Sequence, residues 1–320
     1  MKVFCGLPQS SSRLPCALCI GNFDGVHLGH RELFSRLKKA AKHLGIPSAI
    51  LTFSPHPRLF FALNRGVSDE APMVIAPLRN KLQAFADAGI DEVTISRFTH
   101  DLANLGADAF IEKILVKILK VKWLIVGEHF FFGKNKTGTT DTLVKASKKH
   151  GFEVEILPSV MQNEKRISSS DVRHAIKNHD FSRAAELLGK PYCISGRVVH
   201  GNKRGHQLGF PTANLFIRYD NPVLSGAFIT QTHGLAEKPL PSVSMIGKRP
   251  TIDDANRIVL ETHLFDYEKT CYGKLVHVEF LKKLRDNQKF SGLDALKAAI
   301  EKDVMQAKAF FKNQYSTITS

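Results

Sequence analysis

Two histidines placed three residues apart are the side chains of this chain best suited to chemistry. His27 and His30 close the run Gly-Asn-Phe-Asp-Gly-Val-His-Leu-Gly-His, where a helix is expected to begin. Residues i and i+3 share a helix face, and the free N–H groups at a helix start favour anionic oxygens. Gly21, Gly25 and Gly29 would let a polyphosphate approach the backbone closely. The spacing therefore predicts a phosphate site, the plainer alternative being two surface histidines in a Gly-rich turn.

The elements around this turn are predicted from apolar spacing. Residues 16–20 form an apolar run of strand length, and residues 31–44 carry apolar side chains at helical spacing as far as Gly45. Strands and helices then alternate to about residue 157, which predicts an α/β fold, a doubly wound parallel sheet with its ligand crevice at the carboxyl ends of the strands. The further strands expected are residues 48–53, 92–95, 123–126 and 153–157, and the further helices are residues 78–88, 107–119 and 141–150.

Hydroxyl groups before a short helix suggest a second anion site. Three serines at residues 168–170 and Arg173 lie at the start of a helix expected over residues 172–177. An ordinary serine N-cap beside a surface arginine is the alternative. Another helix is expected over residues 181–188, and the domain boundary is placed near residue 185.

Beyond Tyr192 the pattern changes to short alternating segments separated by turn residues. Such regular short strands predict a small closed barrel. A final amphipathic helix over residues 293–310 would cover it. Alternation along the segment 258–266 puts Glu261 on the face opposite Leu260 and Thr262. The strands expected in this half are residues 193–200, 226–232, 243–246, 258–266 and 274–281.

Length and composition bound the possible classes of protein. The 320 residues suffice for two domains, and a hydrophobic content of 43% permits ordinary cores. No apolar run approaches the ~20 residues needed to cross a bilayer, and residues 1–12 lack an apolar signal segment, so a cytoplasmic protein with no membrane partner is expected. The net charge of +15 is spread over the expected helices, which suits nucleotide substrates and gives little support for a nucleic-acid partner. No pattern indicates an oligomeric state.

The five cysteines, an odd number, form no disulfide-like framework. Cys16 and Cys19 make a C-x-x-C, but no second pair or histidine cluster follows at zinc-ligand spacing. In the first expected strand, alternating burial explains them better than redox chemistry. No metal or redox role is assigned to them.

A long motif in the second half makes a family resemblance specific. Residues 196–214 read Gly-Arg-Val-Val-His-Gly-Asn-Lys-Arg-Gly-His-Gln-Leu-Gly-Phe-Pro-Thr-Ala-Asn. With the His-x-Gly-His upstream, the chain resembles the prokaryotic bifunctional riboflavin kinase/FAD synthetase family over almost its whole length. The resemblance implies an HxGH nucleotidyltransferase domain, the FMN adenylyltransferase, over residues 1–185, and a riboflavin kinase domain, a six-stranded barrel with a C-terminal helix, over residues 186–320. Further matching pieces are residues 52–57, 167–173, 246–251 and 261–263.

The resemblance also implies roles for individual residues. Thr212 and Asn214 would hold Mg²⁺, although alone they fit a polar turn. Glu261 would be the base for the ribityl hydroxyl, although alone it fits a solvent-facing side chain. Catalytic roles fall to Glu261, His27 and His30, and ATP contacts in the adenylyltransferase to Gly21, Phe23, Asp24, Gly25, His27, His30, His129, Ser169, Ser170 and Arg173. ATP contacts in the kinase fall to Gly201, Lys203, Gly205 and His206, and flavin contacts to His56, Pro57 and Arg285.

The activities implied are phosphorylation of riboflavin to FMN by ATP and adenylylation of FMN to FAD with release of pyrophosphate. ATP, riboflavin and FMN are therefore the expected partners and Mg²⁺ the expected metal. His56 fits equally a flavin or ATP contact and a local turn bond. The usual family pattern is not kept at His129, His206 and Met245, which puts the catalytic efficiency of the two activities in question. One alternative is an enzyme that keeps only one activity, and another is a nucleic-acid-binding protein with a degenerate nucleotide fold.

Overall fold

The computed structural model of the chain describes residues 1–8, 13–67, 71–162, 164–201, 210–217, 222–248 and 258–318. The chain divides into two compact units, the first formed by Met1–Pro72 with Lys81–Ser169 and the second by Met73–Asn80 with Ser170–Ser320. The main division between the units, at residues 169 and 170, comes about 15 residues before the boundary near residue 185 that the sequence suggests. The boundary near residue 185 separates the two proposed functions, and it stays a prediction.

The first unit is built on a six-stranded sheet in which every neighbouring pair is parallel. Its strands are β1 Lys2–Cys5, β2 Cys16–Ile20, β3 Ser48–Ser54, β4 Glu92–Arg97, β5 Val121–Gly127 and β6 Glu153–Leu157. They lie in the order β1-β4-β3-β2-β5-β6. Parallel strands need crossover connections, and here helices supply them. The doubly wound α/β sheet expected from the alternation is therefore confirmed.

The helices cover both faces of this sheet. They are α1 Leu28–Leu44, α2 Pro57–Asn64, α3 Leu78–Asp87, α4 His100–Asn104, α5 Ala107–Ala109, which continues as a π-helical segment Phe110–Ile118, and α6 Thr140–His150. One core contains Phe34 and Phe85 from α1 and α3, and the other contains Leu115 from the π-helical segment and Leu143 from α6. The single helix expected over residues 107–119 is thus a short α-helix followed by a π-helical segment, whose buried side chains are those at 110, 111, 114 and 115.

Burial on both faces explains the C-x-x-C pair. All five residues of β2 are buried, so the alternating burial expected from the sequence is wrong for this strand. Cys16 packs in one core and Cys19 in the other, because an odd spacing places them on opposite faces of the strand. Burial raises the pKa of Cys16 to about 12, while the pKa of Cys19 is raised further still by the same cause.

Strand β1 was not expected from the sequence. It pairs with β4 at the edge of the sheet, and three of its four residues are exposed. An exposed edge strand has no need of an apolar pattern, so hydrophobic periodicity gives no signal there. A short hairpin of β7 Met161–Gln162 and β8 Lys165–Arg166 completes the first unit.

The second unit contains a closed antiparallel barrel. Its strands are β9 Cys193–Val199, β10 Thr212–Ile217, β11 Gly226–His233, β12 Leu240–Lys248, β13 Ile258–Leu264 and β14 Leu275–Arg285. They close in the order β10-β13-β12-β11-β14-β9. Five of these strands were expected from alternation, and β10 was not among them, since a polar turn was the plainer alternative for Thr212 and Asn214. The six-stranded barrel implied by the family resemblance is confirmed.

Hydroxyl groups join three strands inside this barrel. Thr230 on β11 lies 2.9 Å from Ser242 and 2.8 Å from Ser244, oxygen to oxygen, and Ser244 lies 2.9 Å from Thr262 on β13. The Ser242 oxygen is also 3.0 Å from that of Thr232, and all five residues are at most 1% exposed. We call them the hydroxyl network. Each buried hydroxyl finds a partner within it.

Among the described residues that follow the first unit, three helices are present: α7 Ser169–Lys177, which begins at the last residue of that unit, α8 Phe181–Leu188 and α9 Leu293–Ile318. Helix α7 begins three residues before the expected start, at the serine run itself. Ala307 and Phe311 of α9 pack against Ile229, Val243 and Phe265 of the barrel, as the amphipathic pattern predicts. In the ranges the structure describes, no helix has both the length and the apolar character required to cross a membrane.

Candidate active sites

The turn between β2 and α1 is shaped by its first glycine. Phe23 has a φ of 50° and Val26 a φ of 46°, values uncommon for residues with side chains. Phe23 folds back over Gly21, where an added Cβ would lie 2.8 Å from its ring. The buried Phe23 ring then packs edge-on against Phe34 and His30. Gly21 is thus needed for a turn that anchors the segment carrying the histidines.

The two histidines meet at the start of α1. His27 is the N-cap residue, and its ring stacks on that of His30 with centroids 3.6 Å apart and planes 21° apart. The i, i+3 spacing therefore brings both rings to one place. Burial first, and then the nearby His27 and Lys81, hold the pKa of His30 well below its usual value. Its buried Nδ1 has no hydrogen-bond partner among the described residues. His30 is therefore a neutral imidazole at neutral pH, with one ring nitrogen whose hydrogen-bonding capacity is unused among the described residues.

Three neighbouring strands deliver candidate residues to the same edge of the sheet. The Gly21 turn follows β2, His56 follows β3 and His129 follows β5, and these strands are adjacent and parallel. Asp24 belongs to the turn, and its carbonyl oxygen accepts a hydrogen bond of 3.0 Å from Ser169 Oγ. This edge is where ligands bind in open α/β sheets.

His56 and His129 have local partners at this edge. His56 caps α2, and its Nδ1 accepts from the N–H of Arg58 at 3.1 Å, so the local turn bond left open by the sequence is formed. Pro57 is the first residue of that helix. The largely exposed His129 lies 3.4 Å from the Glu128 carboxylate. Contacts of these residues with ligands stay predictions.

The remaining adenylyltransferase candidates divide between the units. Ser169 closes the first unit, whereas Ser170 and Arg173 belong to the second. There the Arg173 Nε donates to the carbonyl oxygen of Met73 at 2.7 Å. Gly25, with a φ of 84°, occupies the left-handed region that glycine tolerates best.

Lys81 is a residue of this site that sequence reasoning missed. Its Nζ donates to the Asn22 carbonyl at 3.0 Å and to Thr52 Oγ1 at 3.1 Å. Desolvation lowers the pKa of Lys81 to about 8, with a smaller opposing effect of Asp24. The signal was present, because Lys81 lies three and four positions before the buried Ala84 and Phe85 on one stripe of α3.

An aromatic cluster beside His56 was also missed. Phe60 and Phe61 on α2 meet Phe98 edge-on, with ring centroids 5.3 and 5.8 Å from it. Phe53 and His100 extend the cluster. The Phe61 side chain is 46% exposed, so the cluster presents an aromatic surface at the carboxyl end of β3.

The kinase candidates lie together on one face of the barrel. Antiparallel pairing sets Asn214 of β10 directly opposite Glu261 of β13, and Thr212 opposite His263. Side chains of such pairs have Cβ atoms ~5 Å apart. Met245 flanks Glu261 on the other side, so the carboxylate has one polar and one apolar neighbour. Leu260, Thr262 and Leu264 are buried on the opposite face, which confirms the alternation.

Gly201 and Asn214 are in close contact. An added Cβ on Gly201 would lie 2.6 Å from Asn214 Cγ, so only glycine fits beneath that side chain. Asn214 is 5% exposed, and its Nδ2 donates to the Thr212 carbonyl at 3.2 Å. The other kinase loop candidates, Lys203, Gly205 and His206, lie outside the described residues.

Arg285 has a partner within the second unit. Its guanidinium forms an ion pair of 2.8 Å with Asp303 of α9, and both side chains are largely buried. It also lies 5.4 Å from the Phe290 ring centroid. These contacts join α9 to the end of β14, and the flavin contact expected of Arg285 stays a prediction.

Oxygen donors make the Asn214 face suitable for a hard cation. Thr212 and Asn214 project from the same face of β10, with the Glu261 carboxylate across from them. Neutral and anionic oxygens are the ligands that Mg²⁺ takes in phosphoryl-transfer sites. The donor set therefore fits a magnesium ion carried by ATP.

Comparison with known proteins identifies both units. The family model of FAD synthetase matches residues 9–171, and that of riboflavin kinase matches residues 188–311. A solved structure of a protein described as a macrolide-efflux protein from Streptococcus pneumoniae is 28% identical, with a TM-score of 0.74, and the match covers 96% of this chain and 99% of that one.

Curated relatives match over nearly the whole length. The bifunctional riboflavin kinase/FMN adenylyltransferase of Haemophilus influenzae is 42% identical over 315 residues, which are 98% of this chain and 100% of the relative. The enzyme of the same description from Escherichia coli is 42% identical over 314 residues, 97% and 98% of the two chains. The chain therefore belongs to the family of bifunctional riboflavin kinase/FMN adenylyltransferases.

Proposed function

We propose that this chain phosphorylates riboflavin to FMN and then joins FMN to the adenylyl group of ATP to form FAD. The observation that carries this proposal is the presence of two separate sites in one chain, the stacked His27 and His30 in the first unit and the Asn214–Glu261 pair in the second. We put the functional boundary near residue 185, and the gap between the ranges that the two family models match supports this choice.

In the kinase, the terminal ribityl hydroxyl oxygen forms a bond to the γ-phosphorus of ATP, and the bond from that phosphorus to the β,γ-bridging oxygen breaks, so that ADP leaves. Glu261 accepts the hydroxyl proton. Thr212 and Asn214 would hold Mg²⁺, which when bound neutralises phosphate charge. Gly201 keeps Asn214 in place by leaving it room.

In the adenylyltransferase, a phosphate oxygen of FMN forms a bond to the α-phosphorus of ATP. The bond from that phosphorus to the α,β-bridging oxygen breaks, and its electron pair leaves with pyrophosphate. His27 and His30 stabilise the charge on the oxygens during this exchange. A neutral His30 serves as a hydrogen-bond donor, so no proton transfer is required of it. Backbone groups of the Gly21 turn, with Ser169 and His129, bind the rest of ATP.

The aromatic cluster around Phe98 is proposed as the support for the FMN ring in this half. Flat aromatic surfaces suit offset or edge-on packing of a planar ring, and His56 and Pro57 border the cluster. Phe61→Ala should weaken FMN binding, measured by quenching of FMN fluorescence, whereas unchanged affinity would remove the cluster from the flavin site.

The expected setting of this enzyme is the cytoplasm, with small-molecule substrates and no nucleic acid. All five cysteines, each in the described part of the chain, are free thiols, as a reducing compartment favours.

The test uses purified protein with riboflavin, ATP and Mg²⁺, and chromatography to resolve FMN from FAD. Both products should form in sequence. FMN alone, or FAD only from supplied FMN, would favour an enzyme with one activity. Salt-dependent binding of RNA or DNA without turnover of flavin would favour the nucleic-acid alternative.

A further inference from the structure

Among the described residues, the ammonium group of Lys81 donates hydrogen bonds only to neutral oxygens, for which a positive charge is not required. Its ammonium contacts two neutral oxygens, the Asn22 carbonyl and Thr52 Oγ1. Thr52 is fully buried, and its own hydroxyl lies 3.4 Å from the same carbonyl. In the described ranges Lys81 makes no ion pair. A neutral donor could hold these oxygens without the cost of desolvating a cation.

The position of Lys81 connects it with the candidate adenylyltransferase site. Asn22 belongs to the Gly21 turn, and Thr52 lies near the carboxyl end of β3, the strand next to β2. The charge of Lys81 acts on His30, whose pKa it helps to lower, and Asp24 acts on Lys81 in turn. The residue as a whole is partly exposed, while its ammonium end is desolvated. The desolvated ammonium therefore lies at the carboxyl edge of the sheet, against the turn that leads into the stacked histidines.

An ammonium group has three N–H donors. Two point to Asn22 and Thr52, and the third has no acceptor among the described residues. Because the neutral His30 supplies a hydrogen bond but no charge, the Lys81 ammonium beside it gives this edge of the sheet the positive charge that a polyphosphate requires.

We infer that Lys81 is a further catalytic residue of the adenylyltransferase, whose third N–H binds a non-bridging phosphate oxygen of the reacting groups. The Asn22 and Thr52 oxygens hold the ammonium at a fixed place, so no reorganisation is needed when charge moves toward pyrophosphate. This inference rests on the proposed function of the first unit. The phosphate oxygen belongs either to ATP, with its pyrophosphate product, or to FMN.

The test compares Lys81→Met with Lys39→Met, which removes an exposed lysine of α1. Lys81→Met should lower FAD formation from FMN by ~100-fold or more and leave FMN formation from riboflavin within about twofold in the same sample. Lys39→Met should leave both reactions unchanged. Kinase activity shows that the second unit is folded, and an unchanged circular-dichroism spectrum and melting profile of Lys81→Met show that the first unit is folded too.

Two further measurements separate a phosphate contact from a purely structural role. Thr52→Val removes a neutral partner and keeps the ammonium, so it should cost only about fivefold, the worth of one neutral hydrogen bond. Loss of affinity for inorganic pyrophosphate in Lys81→Met, measured by calorimetry, would assign the contact to the ATP side, and a raised KM for FMN alone would assign it to FMN.

Full FAD formation by Lys81→Met would overturn the inference, and so would an equal loss in Thr52→Val and Lys81→Met. Absence of FAD formation by the unaltered protein is a different result, because it would contradict the proposed function itself.

Discussion

Two stacked imidazoles at a helix start repel each other when both carry charge. Here His30 stays neutral, because burial, and then the nearby His27 and Lys81, keep its pKa low. His30 then offers a hydrogen bond, and the positive charge comes from Lys81. The chemistry of the first unit is thus divided among three side chains within one crevice.

Replacement of either histidine should affect one reaction only. His27→Ala and His30→Ala should each lower FAD formation by ~100-fold or more, since a preorganised donor to the reacting oxygens is lost. FMN formation should persist, because the kinase residues lie in the other unit. Equal loss of both activities in folded variants would contradict two independent sites.

Glu261→Gln should affect the other reaction, the formation of FMN. It keeps the size of the side chain and removes the base, so FMN formation should fall by ~100-fold or more. FAD formation from supplied FMN should continue. Near-normal phosphorylation of riboflavin by this variant would exclude Glu261 as the base.

The pH dependence of FAD formation should report Lys81. Because its pKa is lowered to about 8, the ammonium is charged below that pH and neutral above it. The kcat/KM for FAD formation should therefore fall as the pH rises through about 8, with Asp24, His27 and His30 facing the group. FMN formation, measured in the same buffers, should lack a fall due to Lys81. A flat profile for FAD formation would contradict a role for the Lys81 charge.

At the scale of elements, the position of the Asn214 side chain on strand β10 depends on Gly201, which lies outside that strand. The Asn214 side chain occupies the space where Gly201 would carry a Cβ. Gly201→Ala should therefore displace Asn214 and lower FMN formation by ~100-fold, the typical effect of a misplacement of about 1 Å. Gly292→Ala is the matched control, since an added Cβ there meets nothing within 4 Å. Equal kinase rates in the two variants would show that the contact is unimportant.

The sequence predicted most elements, and the failures have physical causes. The helix α1, the buried strands of the sheet and the strands β11 and β14 carry clear apolar periodicity. Strand β10 was missed because a proline and polar side chains at its start are typical of a turn. Lys81 was missed because a lysine is normally assigned to solvent, and its burial depends on Asn22 and Thr52, which are distant in sequence.

At the scale of the whole molecule, each proposed reaction uses a site within its own unit. A mixture of His30→Ala and Glu261→Gln should therefore convert riboflavin to FAD, although neither variant does so efficiently alone. The first variant makes FMN, and the second consumes it. Chromatography of the mixture over time should show FMN rising before FAD. Failure to form FAD, while each variant performs its own half-reaction, would mean that FMN is not released between the sites.

The hydroxyl network has a consequence for the fidelity of folding. A slip of β13 by one residue against β12 would turn the side chains of β13 to the opposite face. Thr262 would then leave the interior, and the Glu261 carboxylate would enter it at a cost of several kcal/mol. Ser244 would lose its bond to Thr262 at the same time. A misaligned β13 is therefore penalised in two ways, and the register that also sets Glu261 opposite Asn214 is selected in part by hydroxyl groups that take no part in the reaction.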